Sequence, residues 1–157
     1  MYVVQVVGYK NSGKTTLISE WLTYLSEKGY ETATIKHHGH GGEPEQIKET
    51  DHYRHFVSGA SLSAVVGENE LLLTADKRKL PMKPLLQLYH SLGVEVVIIE
   101  GYKQLPLPKI VLPNDSDRLQ DKLTNVQYVY QGDTKQLFHT VEANWHLFDW
   151  EKIKAVF

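Results

Sequence analysis

The chain has 157 residues, 41% of them apolar and 23% charged, with no cysteine and a formal net charge of -2 at pH 7. A chain of that size suits a single domain, here residues 1–157, able to bury roughly two-thirds of its unfolded surface. The composition excludes disulfides, thiolate metal sites and cysteine nucleophiles, offers no polycationic surface for nucleic acid, and contains no apolar run long enough to span a bilayer. Met1-Tyr2-Val3 leads straight into apolar sequence without a charged leader or cleavage signal, so a cytoplasmic protein is expected.

The first predicted strand is the β-branched run Val3-Val4-Gln5-Val6-Val7. Gly8-Tyr9-Lys10-Asn11-Ser12-Gly13-Lys14-Thr15-Thr16 follows it and fits G-x-x-x-x-G-K-[ST] at every fixed position. Leu17, Ile18, Trp21, Leu22 and Leu25 then recur at helical spacing, and Gly29 supplies a C-cap. Glu31–Lys36 reads as a second strand, and the glycines and proline of 37–44 make a loop. A weaker helix is expected over Ile47–Val57. Leu62–Val66 and Glu70–Thr74 read as a hairpin around Gly67-Glu68-Asn69.

Asp76-Lys77-Arg78-Lys79 is a solvated charge cluster. Pro81 opens a helix whose apolar side holds Met82, Leu85, Leu86, Leu88, Tyr89 and Leu92, and Gly93 ends it. Val94–Ile99 is a continuous apolar run broken by Glu95, the pattern of a parallel strand covered on both faces. It ends in Glu100-Gly101-Tyr102-Lys103. Lys109–Leu112 is a short strand, 113–122 a polar loop and Val126–Tyr130 another strand. Thr134–Glu142 and Asp149–Phe157 close the chain as short helices. Strand–helix alternation predicts an α/β fold of three layers: a mostly parallel, doubly wound sheet with one antiparallel hairpin.

The chemistry of the first loop accounts for its residue types. Gly8 and Gly13 let backbone N–H groups turn inward around an anion, and the helix start adds its unspent donors and positive dipole end. Lys14 can set a point charge against the β- and γ-phosphates, and the Thr15 hydroxyl can ligate Mg²⁺. This chain is therefore expected to bind a nucleoside triphosphate through residues 8–16. Such a loop needs a partner acid at the end of a neighbouring strand, and Glu100 stands there, suited to hold Mg²⁺ or orient the attacking water. Asp51 is a second candidate acid. Lys36 ends the second strand toward the same crevice, where it can meet phosphate or substrate. His37, His38 and His40, with His52 and His55 nearby, could ligate a transition metal, line a pocket or simply face water.

In order along the chain, Gly8 to Leu17, Ala33-Thr34-Ile35-Lys36-His37, Asp51-His52-Tyr53-Arg54-His55 before Gly59-Ala60, Ile99-Glu100-Gly101-Tyr102-Lys103 and Pro108-Lys109-Ile110 resemble the MobB family. These are GTP-binding adaptors of molybdopterin guanine dinucleotide biosynthesis, and the match covers residues 1 to about 112. The resemblance implies a P-loop NTPase fold, GTP with Mg²⁺ as ligands, feeble hydrolysis and homodimerisation. It also implies association with the guanylyltransferase that makes the cofactor, and possible contact with molybdopterin itself. It assigns phosphate and Mg²⁺ to Gly8, Tyr9, Lys10, Asn11, Ser12, Gly13, Lys14, Thr15 and Thr16, and the metal-side acid to Glu100. Lys36, His37, Asp51 and Lys103 fall in signature segments that would face substrate or partner. The chain departs from the family after Ile110, where Leu112-Pro113-Asn114 holds no arginine. No N-K-x-D motif follows the late strands, so GTP rather than ATP rests on the resemblance.

Two other functions compete. A metal-insertion GTPase would use the histidine loop, and the absence of cysteine argues against it. A small-molecule kinase would gather arginine over the transferring phosphate, and only Arg54, Arg78 and Arg118 are present. The hairpin edge with Leu71-Leu72-Leu73, and a tail rich in Trp145, Leu147, Phe148, Trp150 and Phe157, suggest surfaces that a second copy covers or that the tail covers in its own chain.

Overall fold

The computed structural model describes residues 1–39, 42–44, 48–113 and 118–157; His40 and Ile47 lie outside these. The chain divides into two compact units, Met1–His40 with Tyr89–Phe157, and Gly41–Leu88.

The larger unit is built on β1 (Tyr2–Val7), β2 (Thr32–Lys36), β5 (Val96–Glu100), β6 (Lys109–Val111) and β7 (Val126–Val129), in the order β2-β5-β1-β6-β7. Every pairing in this sheet is parallel. Val3, Val4, Val6, Val7 and Val96 through Ile99 are fully buried, as expected of strands whose sequence is apolar on both faces. The expected antiparallel hairpin, β3 (Leu62–Val66) with β4 (Leu71–Ala75), forms its own two-stranded sheet in the smaller unit.

Helix α1 (Lys14–Glu27) lays Leu17, Ile18, Trp21 and Leu25 against Val4, Val6, Val96 and Ile98. Helix α4 (Thr134–Glu142) joins the same core through Leu137, Phe138 and Val141, with Trp21 stacked on Phe138 at 5.1 Å between ring centres. Asp133 caps α4 by accepting from the Gln136 N–H at 2.9 Å. Glu142 ties the two helices together, accepting from Tyr24 Oη at 2.6 Å and pairing with Lys28 Nζ at 2.7 Å.

The C-terminal tail differs from the expected single helix. It breaks into a 3-10 turn at Trp145–Leu147, the four-residue helix α5 (Trp150–Ile153) and a 3-10 turn at Lys154–Val156. Backbone bonds to the sheet set that break: Val3 N–H donates to Phe148 O at 2.8 Å and Trp150 N–H donates to Met1 O at 2.9 Å. Trp145 stacks on Tyr2 at 4.6 Å, Phe148 is fully buried and Trp150 nearly so. Trp145, Phe148 and Trp150 of the tail therefore cover their own sheet, while Leu147 and Val156 stay exposed.

In the smaller unit, α2 (Asp51–Val57) starts later than expected, because Thr50 is extended at φ -82°, ψ 150° and closes the helix behind it. The Ser63 hydroxyl donates to His52 O at 2.8 Å, so the hairpin turns its polar side toward α2. Ser63 and Thr74 are buried, while Leu62, Val66, Leu71 and Leu73 on the opposite face are exposed, Val66 to 75% and Leu71 to 62%; Val65 and Leu72, on the face of Ser63 and Thr74, are exposed as well. The chain returns to the larger unit within α3 (Met82–Ser91). Among the described residues no helix is long and apolar enough to cross a membrane.

Two polar residues interrupt the buried sheet, Gln5 of β1 and Lys109 of β6. Burial pulls the Lys109 ammonium down from 10.5 to about 8. The folded pKa is thus below the unfolded one, so the unfolded chain binds more protons between those values and stability from this group rises with pH. Thermal unfolding followed from about pH 8 to about pH 9.5 should show wild type gaining up to about 2 kcal/mol relative to Lys109→Met. A difference between the two proteins that is flat with pH contradicts a buried ammonium at this position.

Candidate nucleotide-binding site

The site forms where β1, β5 and β2 end side by side. Their parallel register sets Val6 beside Glu100 and Glu100 beside Lys36, so one carboxylate lies between the glycine loop and a lysine without any long reach. Ligand crevices in open parallel sheets lie at these carboxyl ends.

The glycine loop turns on two positions that disfavour a side chain, one by crowding and one by its backbone conformation. A Cβ on Gly8 would stand 2.4 Å from Ser12 Oγ and 3.1 Å from Leu112 O, and Gly13 caps α1 with φ +84°. Neither a side-chain cap nor an acidic residue serves the first turn of α1, whereas Asp133 and Asp149 cap α4 and α5. The first N–H groups of α1 and its positive dipole end are thus left for an anion. Lys14 Nζ donates to Tyr9 O at 2.6 Å, to Gly8 O at 3.2 Å and to Ser12 Oγ at 3.4 Å. Its ammonium is held inside the loop it follows.

Charge gathers around this point. Lys36 Nζ lies 3.4 Å from Glu100 Oε2, with Lys36 well exposed and Glu100 mostly buried. Burial lowers the Lys14 pKa; Glu100 opposes that shift, and Lys103 and Lys36 add to it. Lys14 therefore feels one carboxylate, that of Glu100, against two further ammonium groups. Lys103 Nζ sits 4.3 Å over the Tyr9 ring, and the His37 ring lies 4.2 Å from that of Tyr102. His37 N–H donates to Glu100 O at 2.9 Å, carrying the β2–β5 pairing one residue past the strand.

The structure thus brings together residues 8–16, Lys36, His37, Glu100 and Lys103. Tyr9 and Thr15 belong to the same loop and helix start, with Lys10, Asn11, Thr15 and Thr16 exposed. A hydroxyl and a carboxylate are hard oxygen donors, so Thr15 and Glu100 fit Mg²⁺. Asp51 lies in the other unit, exposed in the first turn of α2 and 3.7 Å from Arg54. His52 and His55 are on that helix too, His38 is exposed, and His40 is outside the described residues. Among the described residues no three His, Asp or Glu side chains gather to hold a metal. Sequence reasoning missed Tyr102 as the partner of His37, and it missed Gln5 and Lys109 beneath the loop after β5. The one signal for the last two was polarity inside otherwise apolar strands.

Comparison with known proteins agrees with this geometry. Residues 3–129 match the family described as MobB, molybdopterin guanine dinucleotide synthesis protein B. A Bacillus subtilis (strain 168) protein described as "Probable molybdopterin-guanine dinucleotide biosynthesis adapter protein" is 43% identical over 121 residues, 75% of this chain and 68% of the relative. The crystal structure of Bacillus subtilis MobB superposes with a TM-score of 0.72 at 34% identity, covering 91% of this chain and 97% of that one. The MobB homolog from Bacillus stearothermophilus gives 0.68 at 28% identity, covering 93% and 99%.

Proposed function

The chain belongs to the MobB family, and from that premise we propose that it is a GTP-binding adaptor of molybdopterin guanine dinucleotide biosynthesis. It works beside the guanylyltransferase that makes the cofactor and hydrolyses GTP slowly at most. The observation that carries this is the glycine loop and uncapped start of α1 set against Glu100, with Lys36 paired to that carboxylate and Lys36 and Lys103 both acting on Lys14. The inward N–H groups and Lys14 hold the β- and γ-phosphates, and Thr15 and Glu100 hold Mg²⁺. When bound, the metal neutralises charge that develops on the phosphates. Glu100 would hold that metal, directly or through water, or orient the attacking water. Lys36, His37 and Lys103, at the mouth, and Asp51, on α2, meet substrate or partner, molybdopterin included. Two of the three arginines, Arg54 and Arg78, are paired locally with Asp51 and Asp76, which favours an adaptor over a kinase. The cytoplasm is where such a protein works.

Titration of GTP into Lys14→Ala should show no binding, while thermal stability moves by under about 1 kcal/mol because no buried apolar group is lost. Glu100→Gln should weaken the Mg²⁺-dependent part of binding and hydrolysis more than Mg²⁺-free binding. Full GTP affinity in Lys14→Ala contradicts the phosphate assignment.

A second copy of the chain is the partner that fits the outer hairpin face, since Leu62, Val66, Leu71 and Leu73 leave a continuous apolar strip in water. Trp145 and Phe148 of the tail are packed within their own chain, which leaves the hairpin the larger exposed apolar surface. Sedimentation equilibrium should give a mass near twice 18.0 kDa, and Leu71→Lys should shift it toward the monomer with GTP binding kept. A wild-type mass of one chain overturns the dimer.

A further inference from the structure

Gln5 and Lys109 are Cα partners across the β1–β6 pairing, and neither has any exposed surface. Their side chains leave the sheet on the same face, next to each other. Both reach the same stretch of chain, the irregular segment 101–107 that follows β5. Gln5 Nε2 donates to Gly101 O at 2.6 Å and to Tyr102 O at 2.5 Å. Lys109 Nζ donates to Leu105 O and, at 3.0 Å, to Leu107 O. Two buried side chains therefore satisfy four carbonyls in seven residues, where the segment itself contributes one turn, Leu105 N–H to Tyr102 O at 2.9 Å.

Both residues give something up to do this. Gln5 Oε1 is buried without a hydrogen-bond partner, so the amide is oriented by the two carbonyls it serves and not by its own needs. Lys109 stands where Ile110 and Val111, its neighbours in β6, pack as plain apolar side chains, and burial lowers its pKa to about 8. The segment they hold is one that would not hold itself. Gly101 and Tyr102 are both left-handed, at φ +89° and +53°, and a tyrosine keeps that conformation only where its surroundings impose it.

The segment matters because of what it carries. It begins directly after Glu100, sets the Tyr102 ring against His37, and places Lys103 over Tyr9 of the glycine loop. We propose that Lys109, together with Gln5, is a positioning residue of the nucleotide site: its four-carbonyl clamp fixes the 101–107 segment so that Tyr102 and Lys103 stand at the mouth of the phosphate loop. The functional half of this rests on the loop being a nucleotide site; the mechanical half does not.

Limited trypsin digestion of the full chain separates the two halves. In Lys109→Met, and independently in Gln5→Met, cleavage after Lys103 should accelerate about tenfold as the segment opens locally, while cleavage after Lys77 in the hairpin unit keeps its wild-type rate. Cleavage after Lys103 that stays at the wild-type rate overturns the proposal. So does acceleration at Lys103 and Lys77 together, because it makes Lys109 a residue of general stability. The second reading is a double-mutant cycle in GTP affinity: after Lys109→Met has freed the segment, Lys103→Ala should cost little or nothing further. Full additivity overturns the positioning role. Loss of the nucleotide reading itself shows separately, as GTP binding retained by Lys14→Ala.

Discussion

The parallel pairing of β1 with β5 is the constraint on which the rest depends. It is a pairing of two fully buried strands, Val3 to Val7 against Val96 to Ile99, in a register that sets Val6 beside Glu100. Because the strands run the same way, the glycine loop and Glu100 emerge at the same edge. Because β2 lies on the far side of β5, Lys36 emerges there as well. One slip of a residue would turn Gln5 into the opposite face and point Glu100 away from the loop. The site is thus a consequence of core packing.

Electrostatics then selects what the edge can receive. Lys14 and Lys36 interact with Glu100, Lys103 adds its charge at Lys14, and α1 adds a helix start that no side chain caps. A single carboxylate among three ammonium groups leaves an excess of positive charge for phosphates, and it also keeps one oxygen ligand for a divalent cation. Lysines act as point charges, whereas transferring enzymes favour the fork of arginine. That composition suits holding a nucleotide more than turning it over quickly.

Much of this was legible in the sequence, for a physical reason. Phosphate binding needs glycine, lysine and threonine at fixed short spacing, so Gly8 to Thr16 announce themselves in contiguous residues. Buried parallel strands need unbroken apolar runs, so β1 and β5 were legible too. Lys36 and Glu100 followed because strand ends place them. What was hidden depended on distant partners. Gln5 meets Gly101 across 96 positions, and nothing local distinguishes it from a misplaced polar residue. The hairpin reads as an apolar edge, but only the bond from Ser63 to His52 O reveals which face is turned in. Trp145, Phe148 and Trp150 look alike whether they cover their own sheet or another chain; the backbone bonds of Phe148 and Trp150 to the first strand decide it. The late start of α2 rests on the extended backbone of Thr50, which no propensity scale encodes.

The account stands on a guanine nucleotide seated at the ends of β1 and β5. Isothermal titration of the wild-type chain with GTP and with ATP, each with and without Mg²⁺, tests this most directly. The account predicts one nucleotide site per chain, GTP bound in preference to ATP, and tighter binding when Mg²⁺ is present. No heat of binding from either nucleotide, or ATP bound as well as GTP, contradicts it.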